Sequence, residues 1–138
     1  IIPAPPNNID FGSTAHFLKM MGATLDELAR AGGARDYSFV KILATKMNDA
    51  KSAHQAIKRM MDAVFPMDMM SAVLKDSAEI DNAAANLSTV YELTGPGTRT
   101  ETHKRCRAYL DAVNSEIELL IRKTWPSHHE RLRKEGLL

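Results

Sequence analysis

Five histidines and one cysteine are the side chains of this 138-residue chain that could bind a transition metal or serve as base and nucleophile. A carboxylate-bridged site in a helical bundle needs Glu-x-x-His pairs projecting from facing helices, and neither His54 nor His103 has an Asp or Glu three or four residues on. Both read as core histidines with one satisfied hydrogen bond. The adjacent His128 and His129, followed by Glu130, read as a solvated helix start. Cys106 lies between Arg105 and Arg107, whose charges would favour a thiolate, yet it falls on an apolar stripe and reads as an inert buried thiol. Gly95-Pro96-Gly97 has no Walker lysine after it, so it is a connector rather than a phosphate cradle. Asp76, Glu79 and Asp81 read as a solvated acidic face. These residues predict no catalytic group, no metal and no cofactor, hence not an enzyme.

Lys and Arg number 18 against 17 Asp and Glu, a formal charge of +1, so no global field draws the protein onto a polyanion. Local imbalance is larger: residues 97–138 carry nine basic against six acidic side chains, and residues 64–96 carry one lysine against five acids. Arg99, Lys104, Arg105 and Arg107 open the basic block and are candidate phosphate contacts. Blocks of opposite sign would also pair within a bundle or between subunits. One cysteine allows no internal disulfide and fits a reducing compartment such as the cytoplasm. No apolar run reaches the roughly 18 residues of a membrane span.

Residues 24–43, from Thr24-Leu25-Asp26-Glu27-Leu28-Ala29-Arg30 through Gly32-Gly33 to Phe39-Val40-Lys41-Ile42-Leu43, resemble the helix-turn-helix of bacterial repressors. The resemblance places Leu28 and Ala29 in the first helix, Gly33 in the turn, and Phe39 and Ile42 on the packed face of the second. It implies that Arg35, Tyr37, Ser38 and Lys41 face DNA.

The elements that would position these residues are read as helices. Pro3, Pro5 and Pro6 predict an extended arm over 1–12, followed by a single domain over 13–138. Ser13 would cap a short helix ended by Gly22, and the capping box Thr24/Glu27 would open another ended by Gly32 and Gly33. Apolar or small residues then alternate at three and four: Val40, Leu43, Met47, Ala50, His54, Ile57, Met61 and Val64 up to Pro66, and Met70, Val73, Ser77, Ile80, Ala84, Leu87 and Tyr91 up to Gly95. After a second box at Thr98/Glu101 the alternation continues at His103, Cys106, Leu110, Val113, Ile117, Leu120 and Thr124. The expected fold is all-α. It is an elongated antiparallel bundle of three long helices, about 37–65, 67–94 and 98–125, with two short N-terminal helices and a short C-terminal one opened by Ser127/Glu130.

Six of the eight methionines surround Pro66. Met60-Met61 and Met69-Met70 would each point about 100° apart on a helix, so one neighbouring helix cannot cover them all. Met60, Met67, Met69 and Met70 are therefore expected to meet a second subunit or another protein. The leading expectation is a non-enzymatic structural subunit, coat-like component or adaptor, homo-oligomeric or bound to a protein partner, with a virion-like assembly as one setting. The alternative is a DNA-binding protein that uses residues 24–43 and dimerises through its long helices.

Overall fold

A computed structural model describes residues 1–33, 40–93 and 100–137 of the chain. Arg35, Tyr37, Ser38, Thr98, Arg99 and the Gly95-Pro96-Gly97 connector fall outside these residues, as do the side chains of His128 and His129. The chain divides into two compact units, Ile1–Met70 and Ser71–Leu138.

The first unit is an α/β arrangement. Strand β1 (Ile2–Ala4) pairs in parallel with β2 (Ile42–Ala44), with Ile2 opposite Ile42 and Ala4 opposite Ala44. Parallel neighbours need a crossover, and helix α1 (Asn8–Arg30) lies in that connection. Helix α2 (Ser52–Val64) follows β2, after which the chain returns to bridge Met69 in parallel against Ile42. The chain at β2 thus bonds on both edges, Ile42 to the segment 68–70 and its neighbour Lys41 to β1. The Ile42 carbonyl accepts from the Met70 amide at 2.8 Å and its own amide donates to the Asp68 carbonyl at 2.7 Å, while Ile2 donates to Lys41 on the β1 side at 2.8 Å. The core joins the buried Ala4, Ile42 and Met61 to Phe11, Leu18, Ile57 and Phe65. The Phe11 and Phe65 rings meet at 5.9 Å and 51°.

This architecture corrects the expected three-long-helix bundle. Residues 37–65 are not one helix, because β2 occupies 42–44 and all three of its residues are buried. A strand covered on both faces is a continuous apolar run, and Val40, Leu43 and Met47 then match a three-four spacing by coincidence. Residues 67–94 are not one helix either. Among the described residues there, only α3 (Ala78–Ala85) is an α-helix, capped by the Ser77 hydroxyl accepting from the Glu79 amide. Residues 1–12 are not simply an extended arm: β1 is paired, and the helix already begins at Asn8.

The two short N-terminal helices are one. α1 runs through Gly22 because burial against β1 and α2 outweighs the roughly 1 kcal/mol that an interior glycine costs. Thr24 therefore does not cap. Its hydroxyl donates back to the Met20 carbonyl at 3.2 Å. The expected stop at Gly32-Gly33 is found: Gly33 donates to Leu28 and Gly32 to Ala29, with Gly32 at φ +91°, a Schellman closure.

The second unit holds α3, α4 (Glu101–Thr124) and α5 (Pro126–Lys134). α4 is the long C-terminal helix that the stripe predicts. His103, Cys106 and Val113 are buried on it, and Leu110, Ile117, Leu120 and Thr124 are half-buried. Its cap is Thr100, whose hydroxyl accepts from the His103 amide at 3.2 Å. The short final helix also forms, with Pro126 in its first turn. It has no side-chain cap, so Ser127 does not serve as one.

Candidate functional site

Helix α4 sets out the basic candidates of the second unit. Lys104, Arg105 and Arg107 are all exposed on its first turns. The buried ring of His103 anchors the same turns from inside: its Nε2 lies 3.0 Å from the Val90 carbonyl, tying α4 to the chain that follows α3. This fixes Tyr91 against α4. The Tyr91 hydroxyl donates to Asp111 Oδ1 at 2.6 Å and accepts from Asn114 Nδ2 at 3.3 Å, and the Arg107 guanidinium stacks 5.2 Å from the centre of its ring. Burial, then the Asp111 carboxylate, raises the phenol above its usual pKa of 10.0. The neighbouring Glu92 carboxylate is held below its ordinary range by the Thr89 amide, which donates to it at 2.7 Å. Beside Tyr91 opens an apolar groove of about 370 Å³, floored by Ile80, Ala83 and Leu110. Chemically this is a cation fixed on an aromatic face next to an apolar trough, with acids and amides at its rim.

Other cations on this unit sit in exposed intrahelical pairs: Lys104 with Glu101 at 2.7 Å, Arg122 with Glu118, and Arg131 with Glu135 at 3.9 Å. Pairs of this kind add little stability and exchange readily for phosphate. Arg105 donates through Nε to the Glu101 carbonyl at 3.4 Å. α5 has no acid in its first turn and ends on Arg131, Arg133 and Lys134, all exposed.

The helix-turn-helix expected over residues 24–43 is corrected by the first unit. Residues 24–30 are the last turns of α1, but Ile42 and Leu43 belong to a buried strand, so no recognition helix runs through them. Lys41 does not project from a helix toward DNA. It is half-buried, and its ammonium donates to the Met67 carbonyl. The sequence places Ile42 where a helix would bury it, and parallel strand pairing uses the same side chain to fill a sheet; Phe39 lies outside the described residues.

The methionine candidates separate. Met67 is 79% exposed and Met60 is exposed at the end of α2. Met70 is buried, and Met69 is half-buried against the core of the first unit. Met69 and Met70 lie in extended backbone beside Ile42, where consecutive side chains alternate faces, so they do not splay from a helix.

Parallel strands also gather their carboxyl ends, the edge at which open α/β sheets bind ligands. Here that edge carries Pro5, Pro6 and Asn7 after β1, and Thr45, Lys46 and Asn48 after β2, with Lys46 exposed at φ +51°. The α1 N-terminus at this edge is closed by its own residues. Asn7 Oδ1 accepts from the Asp10 amide at 2.8 Å, and its side-chain amide donates to the Asp10 carboxylate. His54 Nδ1 accepts from the Asn48 amide at 3.2 Å, which holds the β2–α2 turn.

Cys106 is buried in α4 and His103 is spent on Val90. Asp76 precedes α3 rather than lying on a helix, while Glu79 and Asp81 fall in its first turn, favourable for acids there. Among the described residues no three His, Cys, Asp or Glu side chains converge as a metal site. No described helix is long and apolar enough to cross a membrane. Sequence reasoning missed the cluster of Tyr91, Asp111 and Asn114. Its only legible half is the i, i+3 spacing of Asp111 and Asn114 on one face of α4.

No family model matches the chain. A protein of Rhizobium rhizogenes that carries the provisional name replication protein A is 22% identical over 125 residues, 91% of this chain and 31% of that protein. A protein of the same provisional name from Sinorhizobium fredii (strain NBRC 101917 / NGR234) is 24% identical over the same shares. The chain spans about a third of the length of these curated relatives, and it is similar to them along nearly all of its own.

Proposed function

We propose that this chain contributes to a protein of DNA replication, and that it meets nucleic acid through the exposed basic residues of α4 and α5. The observation that carries the reading is the similarity to two replication proteins over 91% of the chain. That similarity favours the nucleic-acid alternative over the scaffold or coat-like one. The geometry supports it through Arg105, Arg107, Arg133 and Lys134, exposed on two consecutive helices, with Arg107 held over Tyr91. Contacts of this kind neutralise phosphates and read no base sequence, so affinity falls with salt and is uniform across duplexes.

Fluorescence anisotropy of the 138-residue chain with a labelled duplex, titrated at about 50 mM and 200 mM salt, tests the reading. The expected result is binding that weakens steeply with salt, and a triple variant, Arg105→Ala, Arg107→Ala, Arg133→Ala, with a salt slope shallower by about three. An absence of binding at the lower salt, or an unchanged slope in the variant, refutes it.

A further inference from the structure

Tyr91 is 41% exposed, yet its ring is fixed. Its hydroxyl donates to Asp111 and accepts from Asn114, and the Arg107 guanidinium lies 5.2 Å from the ring centre. Solvent alone would satisfy an exposed phenol, so three supports go beyond what the hydroxyl needs. They hold the ring in one orientation, which spares a stacking guest the entropy of ordering it.

The groove beside the ring says what stacks there. Tyr91 lines it and Arg107 does not, so the cation takes one part of the ring and leaves another to the groove. Its volume of about 370 Å³ falls in the range of small-molecule sites. The floor of Ile80, Ala83 and Leu110 is apolar and suits the face of a flat guest. The rim is polar. Asn114 spends one N–H on Tyr91, and its side-chain oxygen and second N–H have no partner among the described residues. An aliphatic guest would cover those groups unpaired, at a cost. A nucleobase instead lays its face on the floor and on Tyr91, and turns a donor and acceptor edge to the carboxamide.

Charge sets the direction of the backbone. Lys104, Arg107, Asp111 and Asn114 follow one another at three, four and three, so they share one side of α4, and all are exposed. Arg107 and Lys104 stand about two and three turns before Asn114. Lys104 pairs only with the exposed Glu101, a contact that gives way to phosphate. Asp111 repels phosphate from the Asn114 end. Two cations in a row suit successive phosphates of a strand rather than the phosphate of one free nucleotide. In a duplex the faces of the bases are stacked and out of reach.

We infer that the Tyr91 groove receives an unpaired base of single-stranded DNA, stacked on the tyrosine ring with its polar edge on Asn114, while Arg107 and Lys104 hold the adjoining phosphates. The inference deepens the nucleic-acid reading above and rests on it.

Anisotropy of the 138-residue chain with a labelled strand of about 20 nucleotides, and with the duplex of the same sequence, tests it at about 50 mM salt. Tyr91→Leu is expected to weaken strand binding about tenfold or more and to leave duplex binding unchanged. Ala84→Leu narrows the trough from the exposed side of α3, away from the hydrogen-bonded cluster, and is expected to act in the same direction. Circular dichroism checks that both variants fold. Irradiation of a strand carrying iodouracil is expected to cross-link Tyr91, and free deoxyadenosine monophosphate at the strand's concentration not to compete.

Unchanged strand binding in both variants, with duplex binding intact, overturns the inference and leaves the phosphate reading standing. Equal weakening on strand and duplex also overturns it, as does a cross-link elsewhere. Competition by the free nucleotide would mark a nucleotide pocket and overturn the strand as its occupant. A wild-type chain that binds neither strand nor duplex overturns both readings.

Discussion

The two units bury their apolar residues by different rules. In the first, β2 hides Ile42, Leu43 and Ala44 in succession. In the second, α4 hides His103, Cys106 and Val113 and exposes Lys104, Arg105, Arg107 and Asp111 between them. A helix with one covered face leaves its period in the sequence, because every third or fourth residue must differ from its neighbours. A strand covered on both faces leaves only a short apolar run, which fits several periods at once. The difference also sets the cost of damage. A residue in β2 has packed neighbours on every side, whereas one on the α4 stripe has solvent a turn away.

The sharpest test of that contrast is a pair of truncations. Ile42→Ala, at a fully buried strand position, is expected to cost about 2–5 kcal/mol in urea unfolding. Val113→Ala, on the α4 stripe, should cost about 1–2 kcal/mol from its lost methyl groups. Equal losses would break the comparison.

The helix ends offer a second contrast, since α1 and α3 close in the same way with different residues. Gly32 takes the left-handed position after α1, and Gly33 sits so close to Leu28 that an added Cβ would lie 2.9 Å from its carbonyl oxygen. After α3 the same position is filled by Leu87 at φ +51°, with Ser88 donating to Ala83, and the leucine side chain is almost wholly exposed. Gly32→Ala should destabilise the first unit by about 1–2 kcal/mol. Leu87→Gly should stabilise the second by up to about 1 kcal/mol, as relieved backbone strain outweighs the added freedom of the unfolded chain. Thermal unfolding of both variants measures the pair.

The smallest effect expected is in the titration of Tyr91. Its folded pKa is raised, so the neutral phenol favours the folded state. The stability this contributes is fully present below 10.0 and is lost as pH rises through the higher folded value. Tyr91→Phe should remove that part of the alkaline decline, visible as a flatter stability profile above pH 10. An identical profile in the variant would show that the hydroxyl's bond to Asp111 is not sustained.

Much of the second unit was legible. The α4 stripe, the buried Cys106, a bonded His103 and the final short helix all follow from spacing, because each depends on one covered face. The first unit was legible only at its stops, such as Gly32-Gly33. Gly22 and Thr24 mimic a helix boundary because local preferences there amount to about 1 kcal/mol, less than packing against β1 and α2 supplies. The basic residues were visible as charge, but what surrounds them was not: the meeting of Tyr91 with Arg107, Asp111 and Asn114 joins residues up to 23 apart.

The sequence by itself determined the composition, the charge blocks, the single thiol and the helix whose apolar side repeats. Only the tertiary structure decided that Ile42, Leu43 and Ala44 lie between β1 and Met69. The physical reason is that parallel pairing stabilises a strand through partners some 40 residues before it and 27 after it, and no local preference records those partners.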